Sequence, residues 1–556
     1  MIRIRELSVA VALAGLLTSS AALGQRLYNS AVASSHPLAS AAGYRILGQG
    51  GNAFDAAVAV AAALAVVEPY ASGLGGGGFW LLHRASDGFE VLVDGRETAP
   101  GGATVDMYQG KAGPPAPQAS LQGPRAAGIP GTPAALAWVA RRYGKLPLAR
   151  TLAPAIGYAE QGFSVDSRYL AAARARASLL AQYSASAGIF LRHGAVPAAG
   201  FVLRQPELAD TLRRLARHGR DGFYRGPVAD KLVRAAQNNG GIWQRRDLER
   251  YRVMERTPVV FTHRGARIVS APLPSSGGLV LAQALNILEA LPSQGGEEAE
   301  RAHYRVEALR RAYQDRARYL GDPDFVNVPV ARLLSKSYAR ERAADIIPGR
   351  ATPSDTLEGP VRPEGGNTTH FSIVDRDGNR VAVTLSINTP FGSGFVAEGT
   401  GVLLNNEMDD FAVAPGVPNA YGLVGAAANA IAPGKRPLSS MSPTFVEDHR
   451  GILVLGTPGG SRIISMVYLG ILEYLSQAVP DPLGVVTASR FHHQFLPDRV
   501  EVEPGAFSSE WVAALAAKGH RVEIGPRRWG NMQAVWVDKA SRTALSAGDP
   551  RGAVGY

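Results

Sequence analysis

The 556-residue sequence contains no cysteine. Disulfide bonds, thiolate metal sites and a cysteine nucleophile are therefore excluded. A chain without thiols is compatible with an oxidising compartment. Because 46% of the residues are hydrophobic, the chain can still bury a large core.

The sequence also lacks long apolar runs of the kind that span a bilayer. After residue 24, no stretch reaches about 18 uncharged apolar residues without interruption. The first 24 residues are typical of a secretory signal, with Arg3 and Arg5 before an apolar run over 7–17 and a small-residue cleavage site at 22–24. A buried first helix is the alternative interpretation. We expect an exported protein without a membrane span in its mature form, located in the periplasm if the source is Gram-negative.

Common signatures of metal and nucleotide sites are missing as well. There is no H-E-x-x-H and no G-x-S-x-G motif. His492 and His493 are adjacent, so on a helix they would point about 100° apart and form a poor metal pair. The segment 73–78 satisfies G-x-G-x-x-G, but it follows a helical pattern and precedes a strand pattern, the reverse of the dinucleotide fingerprint. We expect no metal and no organic cofactor, and we interpret these glycines as tight backbone packing beneath an active site.

The chain has a formal charge of +11. Its lysines and arginines are scattered instead of forming runs, which argues against a nucleic-acid groove. A surface that attracts small acidic substrates, one that meets an anionic envelope, and an ordinary basic surface remain open as interpretations.

The most informative stretch surrounds Thr368. Residues 369–374 alternate between polar and apolar, the pattern of a half-buried strand. Asp377-Gly378 is a turn signal, and residues 381–388 are typical of the returning strand of a hairpin. If the peptide bond before Thr368 is cut, the freed α-amino group can act as the base for its own hydroxyl. By itself, a threonine pair at a strand start most often reflects ordinary β-propensity.

Three later segments change that interpretation. They are 403–411 (LLNNEMDDF), 433–443 (PGKRPLSSMSP) and 456–462 (GTPGGSR), in this order. Together with the stretch around Thr368 they resemble the γ-glutamyltransferase (glutathione hydrolase) family of N-terminal-nucleophile hydrolases, over about residues 30–556. The resemblance implies an α+β fold, a four-layer αββα sandwich built from two chains after self-cleavage.

The resemblance also implies where the precursor is cut. The bond between Asn367 and Thr368 would break, after loss of a signal over residues 1–24. Residues 25–367 would then form the large subunit and residues 368–556 the small subunit, which together make one interleaved catalytic domain.

For the chemistry, the resemblance assigns Thr368 as the nucleophile. Ser386 stands where the family commonly has threonine, a second hydroxyl that supports the nucleophile. Serine keeps that hydroxyl and loses a methyl group, so its orientation can loosen. Gly459 and Gly460 match the pair whose backbone N–H groups stabilise the oxyanion.

The remaining matches form a pocket for a zwitterionic amino acid. A carboxylate requires a bidentate cation and hydroxyl donors, whereas an ammonium group requires carboxylates or amide oxygens. The matching residues are Arg96, Ser439 and Ser440 for the α-carboxylate, and Asn388, Glu407 and Asp410 for the α-ammonium. Taken singly, each would be an ordinary surface or loop residue.

Residues 415–434 resemble the lid loop of many members, with Tyr421 at the position that closes over the site. Relatives without the loop include those that act on bulkier acyl groups, so its presence favours small γ-glutamyl donors. A flexible surface loop is the alternative interpretation.

The function expected from this resemblance is that of an exported, self-processing γ-glutamyltransferase and glutathione hydrolase. It would take γ-glutamyl donors such as glutathione and pass the acyl group to water or to an amino acid or peptide amine. Its protein partner would be the other subunit of the same precursor. The alternatives are a glutaryl (cephalosporin) acylase of the same superfamily and an uncleaved, non-catalytic envelope binding protein.

Overall fold

Two six-stranded antiparallel sheets lie face to face at the centre of the fold, and helices cover the outer face of each. The computed structural model describes residues 29–109, 118–292, 297–354, 368–412, 419, 423 and 426–554. The layers run helix, sheet, sheet, helix, so the predicted αββα sandwich of the α+β class is confirmed.

The first sheet is built from both sides of the predicted cut. Its strands, in spatial order, are Ala31–Ser34, Thr368–Val374, Arg380–Ser386, Gly77–Arg84, Phe89–Gly95 and Met254–Arg256. The strand that begins at Thr368 therefore lies inside the sheet, with one neighbour from each side of the cut.

The second sheet covers the inner face of the first. Its strands, in spatial order, are Ala544–Gly548, Gln533–Asp538, Gly451–Gly456, Thr444–Glu447, Ala266–Ser270 and Val259–His263. Shorter strands outside the two sheets are Phe163–Ser164, Val202–Leu203, Val396–Ala397, Val402–Leu403, Phe491–His492, Val500–Val502 and Val522–Ile524.

The helices divide between the two outer faces according to chain position. Those that pack with the first sheet are Pro37–Gly48, Ala53–Val67, Thr132–Tyr143, Leu148–Gln161, Ser167–Leu180, Ser184–Phe190, Pro206–His218, Asp221–Tyr224, Gly226–Asn238 and Arg245–Arg250. Those that pack with the second sheet are Gly277–Ala290, Glu298–Tyr319, Val330–Leu334, Lys336–Ala343, Arg462–Ser476, Pro482–Thr487 and Ser509–Ala517.

The helix Ala53–Val67 illustrates how local sequence fixes these elements. Asn52 caps it, because its side chain accepts from the N–H groups of Phe54 and Asp55 while Asp55 accepts from the N–H of Asn52. Every residue of the helix is buried. The all-apolar pattern thus correctly predicts a deeply buried helix.

The strand Thr368–Val374 is buried on both faces, so the prediction of a half-buried strand is wrong. Phe371 and Ile373 pack towards the helices of the first sheet. The polar face, which alternation alone would expose to water, is covered by the second sheet: the Ser372 hydroxyl donates to the Gln533 carbonyl oxygen at 3.1 Å.

Three sequence predictions lie outside the described residues: the signal segment 1–24, Asn367 at the cut, and Tyr421 of the lid. Within the described part of the chain, none of the helices has the length and apolar character needed to cross a membrane.

Candidate active site

Thr368 lies directly opposite Ser386 in the antiparallel hairpin, so the predicted strand pairing is confirmed. The two hydroxyl oxygens are 3.3 Å apart. Ser386 Oγ also accepts from the N–H of Asn388 at 2.7 Å. This contact fixes the hydroxyl that faces Thr368 and explains how serine, without the threonine methyl group, is held in orientation.

The glycine-rich segment 73–78 passes immediately beneath this hairpin. A Cβ atom on Gly76 would lie 2.1 Å from the Ser386 carbonyl oxygen, and one on Gly75 would lie 2.0 Å from the Leu403 carbonyl oxygen. Both distances are far below van der Waals contact. The predicted tight backbone packing beneath the site is confirmed, and it explains why these positions require glycine.

The residue after the predicted nucleophile is anchored to the first half of the chain, which sequence reasoning missed. Thr369 Oγ1 donates to Glu68 at 2.9 Å and lies 2.7 Å from the Ser35 hydroxyl. Ser35 itself donates to Glu68, and Arg168 lies 3.2 Å from the other Glu68 oxygen. This buried network fixes the start of the strand across the predicted cut.

A cavity opens beside Thr368 and brings together most of the predicted site residues. Those that line it are Thr368, Ser386, Asn388, Glu407, Asp410, Ser439, Ser440 and Gly460. Arg96 and Gly459 are absent from its lining. Arg316, which the sequence analysis did not select, is part of the lining.

Arg96 lies behind the two acids of the cavity. Its guanidinium group donates to the carboxylates of Glu407 and Asp410, and Nε donates to the Pro437 carbonyl oxygen at 3.2 Å. A third carboxylate, that of Glu97, is 3.5 Å from Nη1. Arg96 and Glu97 are fully buried, so one cation is here surrounded by three acids.

Burial and crowding raise the pKa values of these acids. Burial raises the pKa of Glu407 to about 7, against the opposing effect of Arg96. Burial and the nearby Glu407 raise the pKa of Glu97 well above its ordinary value, and burial also raises that of Asp410. Burial by itself would lower the pKa of Arg96, but the carboxylates of Glu407 and Asp410 keep this pKa above its ordinary value. The cavity therefore contains one acid, Glu407, whose pKa lies near neutral pH, beside Asp410, whose pKa is raised by burial.

Backbone geometry near Glu407 is set by the two asparagines that precede it. Asn405 Oδ1 accepts from the Glu407 N–H at 2.9 Å, and its amide group donates to the carbonyl oxygens of Gly75 and Gly128. The Asn406 carbonyl oxygen accepts from the Asn388 amide at 2.9 Å. The segment 403–411 is thereby fixed against the glycine-rich segment and the hairpin.

Gly459 and Gly460 precede the helix Arg462–Ser476. Their φ angles of 142° and 57° lie in the region that favours glycine. Among the residues that the structure describes, no acceptor takes up either amide hydrogen. Gly460 lines the cavity beside Thr368 and Gly459 precedes it directly, so the role of these N–H groups in an oxyanion site stays a prediction.

Ser439 and Ser440 are fixed from the helical side of the cavity. The Ser439 carbonyl oxygen accepts from both the N–H and the hydroxyl of Ser276, at 2.8 and 2.7 Å. Ser440 Oγ accepts from Arg316 Nη2 at 3.2 Å. The four-residue spacing places Arg316 on the helix face of Tyr304, Ala308 and Ala312, but it does not indicate that this face reaches the cavity.

Among the described residues, one group of potential metal ligands does not line the cavity of Thr368: His303, Glu307 and His520. His303 Nδ1 and His520 Nε2 are 2.8 Å apart, in hydrogen-bond contact. Glu307 is paired with Arg310 and Arg311. These contacts occupy the ligating atoms and place two cations beside them, so the cluster is a poor cation site.

Most of the chain is similar in sequence to known proteins. Residues 39–556 match the family model described as Gamma-glutamyltranspeptidase. The chain is 44% identical over 529 residues to a glutathione hydrolase proenzyme of Escherichia coli (strain K12), covering 94% of this chain and 90% of the relative. It is 43% identical over 555 residues to a glutathione hydrolase proenzyme of Pseudomonas aeruginosa, covering 99% and 97%.

A solved structure extends the similarity to three dimensions. The crystal structure of a cephalosporin acylase from Bacillus halodurans superposes with a TM-score of 0.82 at 30% identity, covering 94% of this chain and 95% of that one. The N-terminal-nucleophile hydrolase fold inferred from the resemblance is therefore confirmed. Given the family match over most of its length, the chain belongs to the gamma-glutamyltranspeptidase family.

Proposed function

We propose that the chain is an exported, self-cleaving γ-glutamyltransferase and glutathione hydrolase. One observation carries the proposal: Thr368 begins a buried strand beside a cavity that also holds Glu407, Asp410 and the Ser439–Ser440 pair. A nucleophile that lies beside both acidic side chains and hydroxyl donors suits a donor whose far end carries an α-ammonium and an α-carboxylate group. The glutathione hydrolase relatives support the same substrate class.

Maturation begins in the intact chain. The Thr368 hydroxyl attacks the carbonyl carbon of Asn367, the C–N bond breaks, and the acyl group passes from nitrogen to oxygen as an ester. Water then hydrolyses the ester, which releases a carboxylate on Asn367 and a free α-amino group on Thr368. The products are a large subunit ending at residue 367 and a small subunit of residues 368–556.

The mature site then transfers the acyl group in two steps. The α-amino group, with an unperturbed pKa of about 7.7–8.0, accepts the hydroxyl proton as Thr368 Oγ1 attacks the γ-carbonyl carbon of the donor. The amide hydrogens of Gly459 and Gly460 stabilise the resulting oxyanion. The proton passes to the leaving amine, and water or an acceptor amine then attacks the ester and restores Thr368.

The far end of the donor is held by charge. Glu407 and Asp410, with the side-chain amide of Asn388, receive the α-ammonium group. The hydroxyls of Ser439 and Ser440 and the charge of Arg96 receive the α-carboxylate. Ser386 supports the nucleophile, and Tyr421 closes the lid. Amino acids and peptides are the proposed acceptors.

Export follows from the N-terminal segment. Residues 1–24 have the basic start, apolar run and small-residue cleavage site of a secretory signal. The periplasm is the proposed location, and a chain without cysteine is compatible with such an oxidising compartment.

The nearest competing function is that of a glutaryl acylase, favoured by the similarity to the cephalosporin acylase structure. A glutaryl group carries a carboxylate but no α-amino group, so Glu407 and Asp410 would have nothing to hold. Turnover of γ-glutamyl-p-nitroanilide and glutaryl-p-nitroanilide by the mature protein separates the two. We expect a strong preference for the γ-glutamyl donor; equal or reversed preference would overturn the proposal. An envelope binding protein would turn over neither donor.

A further inference from the structure

Arg316 is a buried arginine that faces the cavity of Thr368. It lies in the last turn of the helix Glu298–Tyr319, and its side chain is almost completely buried. Nε donates to the Ser276 hydroxyl at 2.9 Å, and Nη2 donates to the Ser440 hydroxyl at 3.2 Å. Its hydrogen-bond partners in the described residues are thus neutral hydroxyls.

The charge of Arg316 is poorly compensated by the protein. Within the described residues, no carboxylate lies at ion-pair distance from its guanidinium group, whereas Arg96 contacts three. Burial lowers the pKa of Arg316, and Asp410 opposes that effect only through space. A buried charge without an ionic partner is unfavourable, so a ligand carboxylate in the cavity would gain from its presence.

Arg316 also contacts the hydroxyl of Ser440 and, through Ser276, the backbone carbonyl of Ser439 in the proposed carboxylate subsite. It contacts Ser440 directly and reaches Ser439 through Ser276, whose hydroxyl donates to the Ser439 carbonyl oxygen at 2.7 Å. Arg316 donates to a lone pair of the Ser440 hydroxyl oxygen. The hydroxyl proton of Ser440 must therefore point elsewhere, towards an acceptor such as a carboxylate.

We propose that Arg316 is a positioning and specificity residue of the carboxylate subsite. It orients the Ser440 hydroxyl and the Ser439 backbone and supplies a positive charge that no carboxylate of the described residues pairs with, so that the site selects donors with an α-carboxylate. Arg96, whose guanidinium group contacts three acids, holds Glu407 and Asp410 in addition to the α-carboxylate role proposed above. This inference rests on the proposed function of the site.

The test compares two donors that differ only in that carboxylate: γ-glutamyl-p-nitroanilide and 4-aminobutyryl-p-nitroanilide. Both carry the ammonium group and the same leaving group. Arg316→Gln should raise KM for the γ-glutamyl donor by about tenfold or more, the typical effect of a lost charge-assisted contact, and leave 4-aminobutyryl turnover nearly unchanged. Arg316→Lys should recover part of the preference for the γ-glutamyl donor over the 4-aminobutyryl donor. Arg318→Gln, an exposed position on the same helix, is the matched control and should behave as wild type.

Equal losses on both donors, or an unchanged preference, would overturn the assignment. If Arg316→Gln does not mature, Ser276→Ala removes only the hydroxyl that links Arg316 to Ser439, and it should reduce the preference several-fold. An unchanged preference in that variant would also overturn the assignment. Failure of the wild-type protein to turn over the γ-glutamyl donor would instead reject the proposed function.

Discussion

Glu407 should make donor binding depend on pH near neutrality. Burial raises its pKa to about 7, so below that pH it is largely protonated and cannot hold an ammonium group by charge. At pH 5.5 roughly 3% of Glu407 would be ionised, which corresponds to about a 30-fold loss of binding-competent site. The α-amino group of Thr368, which has an unperturbed pKa of about 7.7–8.0, should lose a proton independently.

The same shift has a defined effect on stability. The difference between the ordinary value of 4.5 and about 7 corresponds to about 3 kcal/mol in favour of the protonated form. Because the folded-state pKa lies above the unfolded one, this contribution is fully present below pH 4.5 and is lost as pH rises through 7. The Gln side chain of Glu407→Gln stays neutral. The apparent melting temperature of this variant should therefore rise relative to that of wild type as pH rises from 4.5 to 8.

The assay is kcat/KM from pH 5 to 9 with γ-glutamyl-p-nitroanilide. Below pH 7, a plot of log(kcat/KM) against pH should have a slope of about two for the wild-type protein, because Glu407 and the Thr368 amine must each lose one proton. Glu407→Gln should reduce the slope to about one. Asp409→Asn is the matched control, since Asp409 is a buried neighbour that binds Ser120 and does not line the cavity, and it should keep the slope of two.

A second donor gives an internal check on the reasoning. Glutaryl-p-nitroanilide has no ammonium group, so its slow turnover by wild type should follow a slope of about one. Identical pH profiles for wild type and Glu407→Gln on the γ-glutamyl donor would refute the role given to Glu407.

Three further substitutions test how the nucleophile is supported. Ser386→Ala removes the hydroxyl 3.3 Å from Thr368 Oγ1, so self-cleavage and turnover should both slow about tenfold, measured by gel densitometry and initial rates; an unchanged rate would contradict its supporting role. Gly76→Ala drives a Cβ atom to 2.1 Å from the Ser386 carbonyl oxygen, so little soluble, cleaved protein should form, and normal yield would contradict the packing argument. Thr369→Val removes the hydrogen bond to the Glu68 carboxylate and the contact with Ser35, although Ser35 and Arg168 still contact Glu68; this loss should cost about 1–3 kcal/mol and lower the apparent melting temperature, and an unchanged melting temperature would count against it.

Features governed by local sequence were predicted well. The hairpin at Thr368 follows from alternation and an Asp-Gly turn, and the buried helix Ala53–Val67 follows from its apolar composition. Burial of the Thr368 strand on both faces could not be inferred in this way. The second sheet that covers it comes mainly from residues 444–548, and alternation describes a strand without saying what lies on its polar side.

At the site, contacts between distant segments were what the sequence could not predict. Family motifs brought Arg96, Glu407 and Asp410 to one pocket, but assigned them to opposite ends of a ligand. The structure pairs them with one another, because buried charges require ionic partners. Arg316 and Glu68 were missed, since a single charged residue on a helix or at its end gives no sign of which cavity or network it joins.

Self-cleavage at Thr368 is the central claim, and intact-mass analysis with N-terminal sequencing tests it most directly. The exported wild-type protein should separate into two chains, the shorter beginning Thr-Thr-His-Phe, while Thr368→Ala stays whole. A single wild-type chain that remains uncleaved on incubation would contradict the account and favour a non-catalytic binding protein.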